Sequence, residues 1–292
     1  MKNSLLLVLL VPTFWAYSQQ QLSMQVIDAA TQQGIPYVNI GIFEKQFGTV
    51  SDEQGFFTLS IPDKYLKDSL SFSSIGYQMK SFLISDLLLQ ANKSFKVLLV
   101  AETLVLNEVS VVSKKLKNKT EGSKILLGLM ESGLSTNYEG AEIGNVISIS
   151  KPSKVTAFGL QVHHISDTGN WFRLNFYNVV EEKPSEKIAI PNIIFQIPES
   201  GDFELDLNQY EIYLDGDTFV SIEFVNVATD SVQRIRSRGF IGLKDKSEYS
   251  SNNMIVIRAR KSGKDINFRL ASFDRWGKFD NSELGMYLKV KQ

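Results

Sequence analysis

Cysteine is absent from the 292 residues. Its absence excludes disulfides, thiolate nucleophiles, cysteine-ligated zinc and iron–sulfur clusters. It also excludes a bacterial lipid anchor, which is built on a cysteine just after an export signal. The two histidines, His163 and His164, are adjacent; neighbours on a strand point to opposite faces, so the pair cannot chelate one metal side by side. There is no Gly-x-Ser-x-Gly elbow to mark a nucleophilic serine. The glycines of "GYQMKSF" and "GKFDNSELG" lack the spacing of a phosphate-cradling loop. No segment after the N-terminus approaches the roughly 20 apolar residues of a membrane-spanning helix. A net charge of -1 gives nucleic acid no general attraction to the chain.

What is present is ample apolar surface. With 43% hydrophobic and 22% charged residues, the balance is that of a globular chain. The length suits one large or two ordinary domains, because single cores stop growing at about 250–300 residues. Shifts of composition along the chain favour two. The first residues, "MKNSLLLVLLVPTFWAYSQQ", carry a cation at Lys2, an apolar run from Leu5 to Val11, and small residues at Ala16 and Ser18. This pattern predicts an export signal over residues 1–18, and a mature chain without a transmembrane segment that is periplasmic, outer-membrane-associated or extracellular. Retention of the segment as an anchor is the alternative. Export without disulfides suits a bacterial envelope protein that relies on its core.

From Leu22 to Val112 strand follows strand. "LSMQVID" puts Leu22, Met24 and Val26 on one face, "YVNIGIF" does so with Val38, Ile40 and Ile42, and "FFTLSIP" with Phe57, Leu59 and Ile61. "LSFSSIGY" adds a strand, "SFKVLLVAETLVLNEVSVV" one or two closing strands, and "ISDLLLQAN" a short helix or an apolar turn. "SDEQG" reads as turn chemistry, with Asp52 and Glu53 in a connection whose Gly55 can take a positive φ. "SKKLKNKTEGSK", with five lysines, reads as solvated linker within 113–140, with room for a short helix at "KILLGLMESG". Residues 141–292 read as about eight to ten strands of a jelly-roll-like sandwich. There, Asp215-Gly216 predicts a tight hairpin in preference to a calcium loop, whose later ligands are missing. Glu121 to Asp230 holds six basic and seventeen acidic residues, against fourteen basic and six acidic from Ser231 to Gln292. Strands from the two halves are therefore expected to interleave and neutralise one another.

The order and spacing of "VIDAATQQGIPYVNIGI", "GTVSDEQGFFTLSIP", "LSFSSIGY" and "LNEVSVV" resemble the carboxypeptidase regulatory-like domain, a transthyretin-like sandwich common in exported proteins of Bacteroidota. The resemblance covers residues 19–112. It implies an all-β chain, with an N-terminal transthyretin-like seven-stranded β-sandwich followed by the larger jelly-roll-like β-sandwich. Such domains often precede TonB-dependent transporter barrels, but about 180 further residues are too few for 22 membrane strands. The carboxypeptidase chemistry of the family's name needs a His-x-x-Glu arrangement, whereas His163 and His164 are followed by Ile165 and Ser166. The second half, through "FRLNFYNVVEEKPSEKI", "FELDLNQYEIYLDGDTFVSIEF" and "DRWGKF", more loosely resembles the C-terminal sandwich of two-part exported Bacteroidota proteins of unassigned function.

Aromatic side chains on a sandwich face can stack sugars or peptides. In "NWFRLNFY", alternation places Trp171, Arg173, Asn175 and Tyr177 on a polar face and Phe172, Leu174 and Phe176 on an apolar one. Trp171, Arg173, Tyr177 and Trp276 of "DRWGKF" are the candidate ligand-binding residues. Acidic residues are plentiful, including Glu204, Asp206, Glu211, Asp215, Asp217 and Glu223, but glycoside hydrolysis requires two of them held roughly 5–9.5 Å apart in a cleft. The expectation is a non-catalytic exported envelope protein, without metal or cofactor, that binds or displays a glycan or an outer-membrane protein. A hydrolase acting on polysaccharide or peptide is one alternative. A structural accessory of a TonB-dependent outer-membrane complex is the other.

Overall fold

The computed structural model describes residues 20–91, 95–102, 117–126, 130–135, 139–226 and 254–292. The export-signal segment and the strand expected at "LVLNEVSVV" lie outside them. Alternation in the first third produces short half-buried strands: β1 (Gln20–Asp28), β2 (Asn39–Gly41), β3 (Gly48–Val50), β4 (Phe56–Ile61), β5 (Ser69–Ser73), β6 (Lys80–Leu83) and β7 (Lys96–Leu99), with helix α1 (Ile84–Ala91) before the last. They form two sheets, β4-β1-β7 and β3-β2-β5-β6. Leu22, Met24 and Val26 of β1 and Phe57, Leu59 and Ile61 of β4 meet Ile40, Leu70 and Phe72 of the other sheet in one core. Phe57 and Phe72 pack edge to face at 5.7 Å, and α1 contributes Ile84 and Leu87 to the seal.

The "SDEQG" connection is held by its own side chain. Asp52 Oδ1 accepts the amides of Gln54 (2.9 Å) and Phe56 (2.8 Å), and Gly55 takes φ 80°. A Cβ at Gly55 would lie 2.4 Å from the Val26 carbonyl oxygen, so glycine is required by space as well as by φ.

The larger β-rich domain is a single paired sheet of thirteen strands among the described residues: β8 (Asn118–Gly122), β9 (Met130–Ser135), β10 (Glu142–Ile165), β11 (Trp171–Val180), β12 (Lys183–Lys187), β13 (Ile193–Gln196), β14 (Gly201–Asp206), β15 (Tyr213–Asn226), β16 (Met254–Lys261), β17 (Ile266–Arg269), β18 (Gly277–Phe279), β19 (Ser282–Leu284) and β20 (Met286–Lys291). The spine is β10, 24 residues long, paired early with β15 and β17 and later with β14, β20 and β16. Its register shifts three times, at Ile149/Ser153, Val155/Ala157 and Val162/His164. Bulges bend a strand, so the sheet folds back on itself around one core. That core takes Ile143 and Phe158 from β10, Phe172, Leu174 and Phe176 from β11, and Ile222 and Phe224 from β15.

Two sequence expectations are corrected here. Asn118–Gly122 and Met130–Ser135, placed within a linker with a short helix, are strands paired to β20 and β16. Lys119 and Glu121 of β8 do not argue against a strand, because an outer strand can leave its charges at the water boundary, where these two pair at 2.7 Å. Asp215-Gly216 is not the tip of a hairpin. Gly216 takes its positive φ of 74° inside β15, opposite the bulge of β10. The charge halves do interleave: Arg269 pairs with Glu142, and Lys289 with Glu204 at 2.7 Å.

The first domain sits on the face of the β11–β15–β10–β17 sheet opposite its core. Tyr37 and Val50 pack with Trp171, Ile194 and Val225, and Phe43 stacks near Phe273 at 4.9 Å. The Glu44 amide donates to the Phe273 carbonyl at 2.8 Å, and the Val50 amide to Glu139 at 3.2 Å. At Gly41 the two backbones come so close that a Cβ would stand 2.6 Å from the Ser272 carbonyl oxygen. Backbone cannot swing aside as a side chain can. Gly41→Ala is therefore expected to weaken the domain contact by about 1–3 kcal/mol, seen in calorimetry as a lowered or split unfolding transition. An unchanged transition would mean that the contact yields without cost.

Candidate functional site

The face that meets the first domain carries charge. In register across four strands stand Arg173 on β11, Glu223 on β15, Glu142 on β10 and Arg269 on β17. The two glutamates are directly opposite one another and fully buried. Like charges in that position repel, so the row is tenable only because a guanidinium flanks each end. Arg269 pairs with Glu142, and Arg173 Nη1 lies 3.2 Å from Glu223 Oε2. Asn175, one step along β11, donates to both carboxylates at 2.8 Å, bridging them. Ser221 and the Tyr177 hydroxyl complete the shell of Glu142. Lys187 on β12, in register with Tyr177, approaches Glu223 Oε2 at 4.0 Å.

These contacts set protonation. Burial pushes the Glu223 carboxyl up, but Arg173, Lys187 and Arg269 outweigh it and hold the group below the usual carboxylate range. Burial pushes the Tyr177 hydroxyl well above its ordinary value, and the neighbouring glutamates add to the effect, so it stays protonated as a donor. Burial lowers Lys187 to about 8, with Arg173 and Arg269 pushing the same way against the pull of Glu223. For Arg269, the attraction of Glu142 overcomes burial and the guanidinium stays charged.

Arg173 also fastens the first domain. Its Nη1 donates to Asn39 Oδ1 at 2.7 Å and its Nη2 to the Tyr37 carbonyl. Tyr37 holds φ at 54°, a left-handed conformation unfavourable for a bulky residue. It is kept there in part by a hydrogen bond from its hydroxyl to Glu53 at 3.1 Å. Glu53 of the acidic turn thus acts on the site at one remove.

Beside this contact the two domains leave a cleft of about 340 Å³. The first domain contributes Asn39, Ser74 and Tyr77, and the second Arg173, Lys187 and Arg269. Arg173, only 3% exposed, keeps an Nε with no hydrogen-bond partner among the described residues, and so does Glu223 Oε1. Buried polar atoms left in this way are normally satisfied by water or a ligand.

Of the four candidate residues, Arg173 and Tyr177 line the cleft. Trp276 backs it, edge to face with Tyr177 at 5.7 Å and with Arg269 5.0 Å from its ring. Trp171 is half-buried in the apolar contact with Tyr37 and Val50, away from the cleft. The polar face of β11 is therefore covered by the first domain and does not form an open aromatic platform. Of the acidic residues, Glu204 is tied to Lys289, Asp206 to Asn208, and Glu211 to Lys154, all on exposed positions away from the row. His163 is exposed and meets Glu131 at 3.1 Å. The sequence reading missed Glu142, Lys187 and Arg269. Glu142 and Arg269 carried a signal, a lone charge inside an apolar strand, as in "AEIGNVI" and "INFRLASF", whereas Lys187, in "EEKPSEKIAI", is one charge among several.

Residues 23–111 match the family described as the CarboxypepD_reg-like domain. The N-terminal sandwich is thus a carboxypeptidase regulatory-like domain, and the larger β-rich domain follows it. No curated protein matches the chain in sequence. Among solved structures, the chain is similar at a TM-score of 0.39 and 11% identity to the cysteine protease and lectin-like domains of Cwp84, a surface layer associated protein of Clostridium difficile. The alignment covers 94% of this chain and 59% of that one.

Two outcomes follow from the row. Glu223→Ala strands Arg173 as an uncompensated buried cation and is expected to cost about 3–5 kcal/mol, measured by denaturant unfolding. Lys187 loses its proton near pH 8 when folded and near 10.5 when unfolded. Between those values the unfolded chain binds more protons, so stability rises with pH. Lys187→Met is expected to exceed the parent by about 2–3 kcal/mol at pH 7, and to lose that advantage progressively between pH 8 and 10. A gap independent of pH would refute the assignment.

Proposed function

We propose that this chain is a non-catalytic, exported binding protein that holds its ligand in the cleft between the carboxypeptidase regulatory-like domain and the larger β-rich domain. The observation that carries this reading is the state of the two buried carboxylates. Hydrolysis by a carboxylate pair requires one member held protonated by a raised pKa while the other stays free to act. Here Glu142 accepts from Ser221, Asn175, Tyr177 and Arg269, and Glu223 is held ionised by Arg173. Groups bonded in this way fix geometry and field. Walls drawn from both domains make the cleft a site that exists only in the assembled chain. A glycan or another polar envelope component fits its hydroxyl and amide lining. No helix among the described residues is long and apolar enough to cross a membrane.

The test is a screen of soluble envelope glycans against the purified protein by NMR, repeated with Ser74→Trp, which fills the cleft, and with Trp171→Ala. Binding is expected to vanish in the first variant and to survive in the second. Turnover of any offered polysaccharide or peptide would reverse the non-catalytic assignment, and binding lost only in Trp171→Ala would move the site to the other side of the domain contact.

A further inference from the structure

Among the described residues, the cations around the cleft outnumber the anions by one. Arg173 and Arg269 are answered by Glu223 and Glu142, while Lys187 shares Glu223 at 4.0 Å with an arginine already at 3.2 Å. Among the described residues, the charged and titratable groups that act on its amine from the packed strands are Glu223 on β15, Glu142 on β10, Arg173 and Tyr177 on β11, and Arg269 on β17. From the first domain, Tyr77 lines the cleft, but it donates its hydroxyl to Asp28 at 3.0 Å. Asp28 in turn accepts the amides of Ala30 and Thr31. Among the described residues, the group is thus one negative charge short of neutrality. A partly buried ammonium in that position is costly unless an anion meets it.

Resting on the cleft as the binding site, we infer that its ligand is a small molecule bearing a single carboxylate, of the uronic acid type, whose carboxylate sits beside Lys187. A carboxylate carries the one charge that balances the cluster, whereas a phosphate at about -1.5 to -2 would overshoot it. Asn39, Ser74, Ser185 and Asn192 present amides and hydroxyls suited to sugar hydroxyls, and Ile188 and Phe273 offer apolar surface to a ring face. The volume of about 340 Å³ suits a single small molecule better than a polymer segment.

The test titrates the purified protein with D-galacturonate, D-galactose, acetate and inorganic phosphate by NMR, following the Lys187 Cε signal. Galacturonate is expected to bind roughly tenfold or more tightly than galactose, with acetate competing. The Lys187 titration, near pH 8 in the free protein, should move upward when galacturonate is bound. Lys187→Gln should erase the preference and Lys187→Arg retain it. Equal affinity for galactose, stronger competition by phosphate than by acetate, or no binding of galacturonate or acetate would each overturn the inference. If galactose binds as tightly as galacturonate and Ser74→Trp abolishes both, the cleft stands and only the carboxylate falls. Galacturonate binding insensitive to both Ser74→Trp and Lys187→Gln would overturn the cleft as well.

Discussion

Two fully buried glutamates facing each other across adjacent strands are the constraint around which this molecule is arranged. Glu142 and Glu223 repel, and burial removes the solvent that would screen them. Each of the neighbouring elements answers that repulsion. Strands β11 and β17 bring a guanidinium to either end, Asn175 puts an amide between the carboxylates, and the first domain closes over the arrangement while capping Arg173 with a carbonyl and an amide oxygen. The contact between the domains is therefore electrostatic at its centre and apolar at its edge, where Trp171, Tyr37 and Val50 meet. Replacing such a row with hydrophobic residues could leave stability unharmed. What it would remove is the particular orientation in which one domain sits on the other, and with it the cleft.

Strand identities in the first domain were legible because alternation is local. Leu22, Met24 and Val26, or Phe57, Leu59 and Ile61, declare their common face within one short window, and they lie together in the core. The split of β11 into an apolar and a polar face was legible for the same reason, and Phe172, Leu174 and Phe176 are buried in the core of the larger domain. Destination is another matter. Nothing in "NWFRLNFY" says that its polar face will be covered by residues more than a hundred positions earlier, so exposure of Trp171 could not be read from it. Partnership was equally hidden: Arg173, Glu223, Glu142 and Arg269 meet through pairings spread over 128 positions from Glu142 to Arg269 in number. Composition alone misled at the lysine-rich run around β8, since an outer strand accommodates charges such as Lys119 as well as a linker does. Local turn preference misled at Asp215-Gly216, where a left-handed residue serves a bulge.

The acidic turn shows how a residue can matter without being a site. Asp52 spends its oxygens on the backbone of its own connection, which is turn chemistry. Glu53 reaches Tyr37, whose unfavourable φ aims a carbonyl at Arg173. A feature of the first domain's corner thereby bears on the charge row of the second.

The long strand β10 has a consequence for how the chain acquires its shape. Its partners include β14 and β15 soon after it, but also β20, which ends at Lys291 and pairs in turn with β8. The sheet is laced shut by strands far apart in the sequence, as where Tyr287 of β20 stands opposite Gly122 of β8. Native contacts of such long sequence separation form slowly. During synthesis the first domain can reach its final form early, while the larger one must wait, with β10 incompletely paired, until β20 has left the ribosome. The cleft, which is lined by both, takes shape only after each of them has folded.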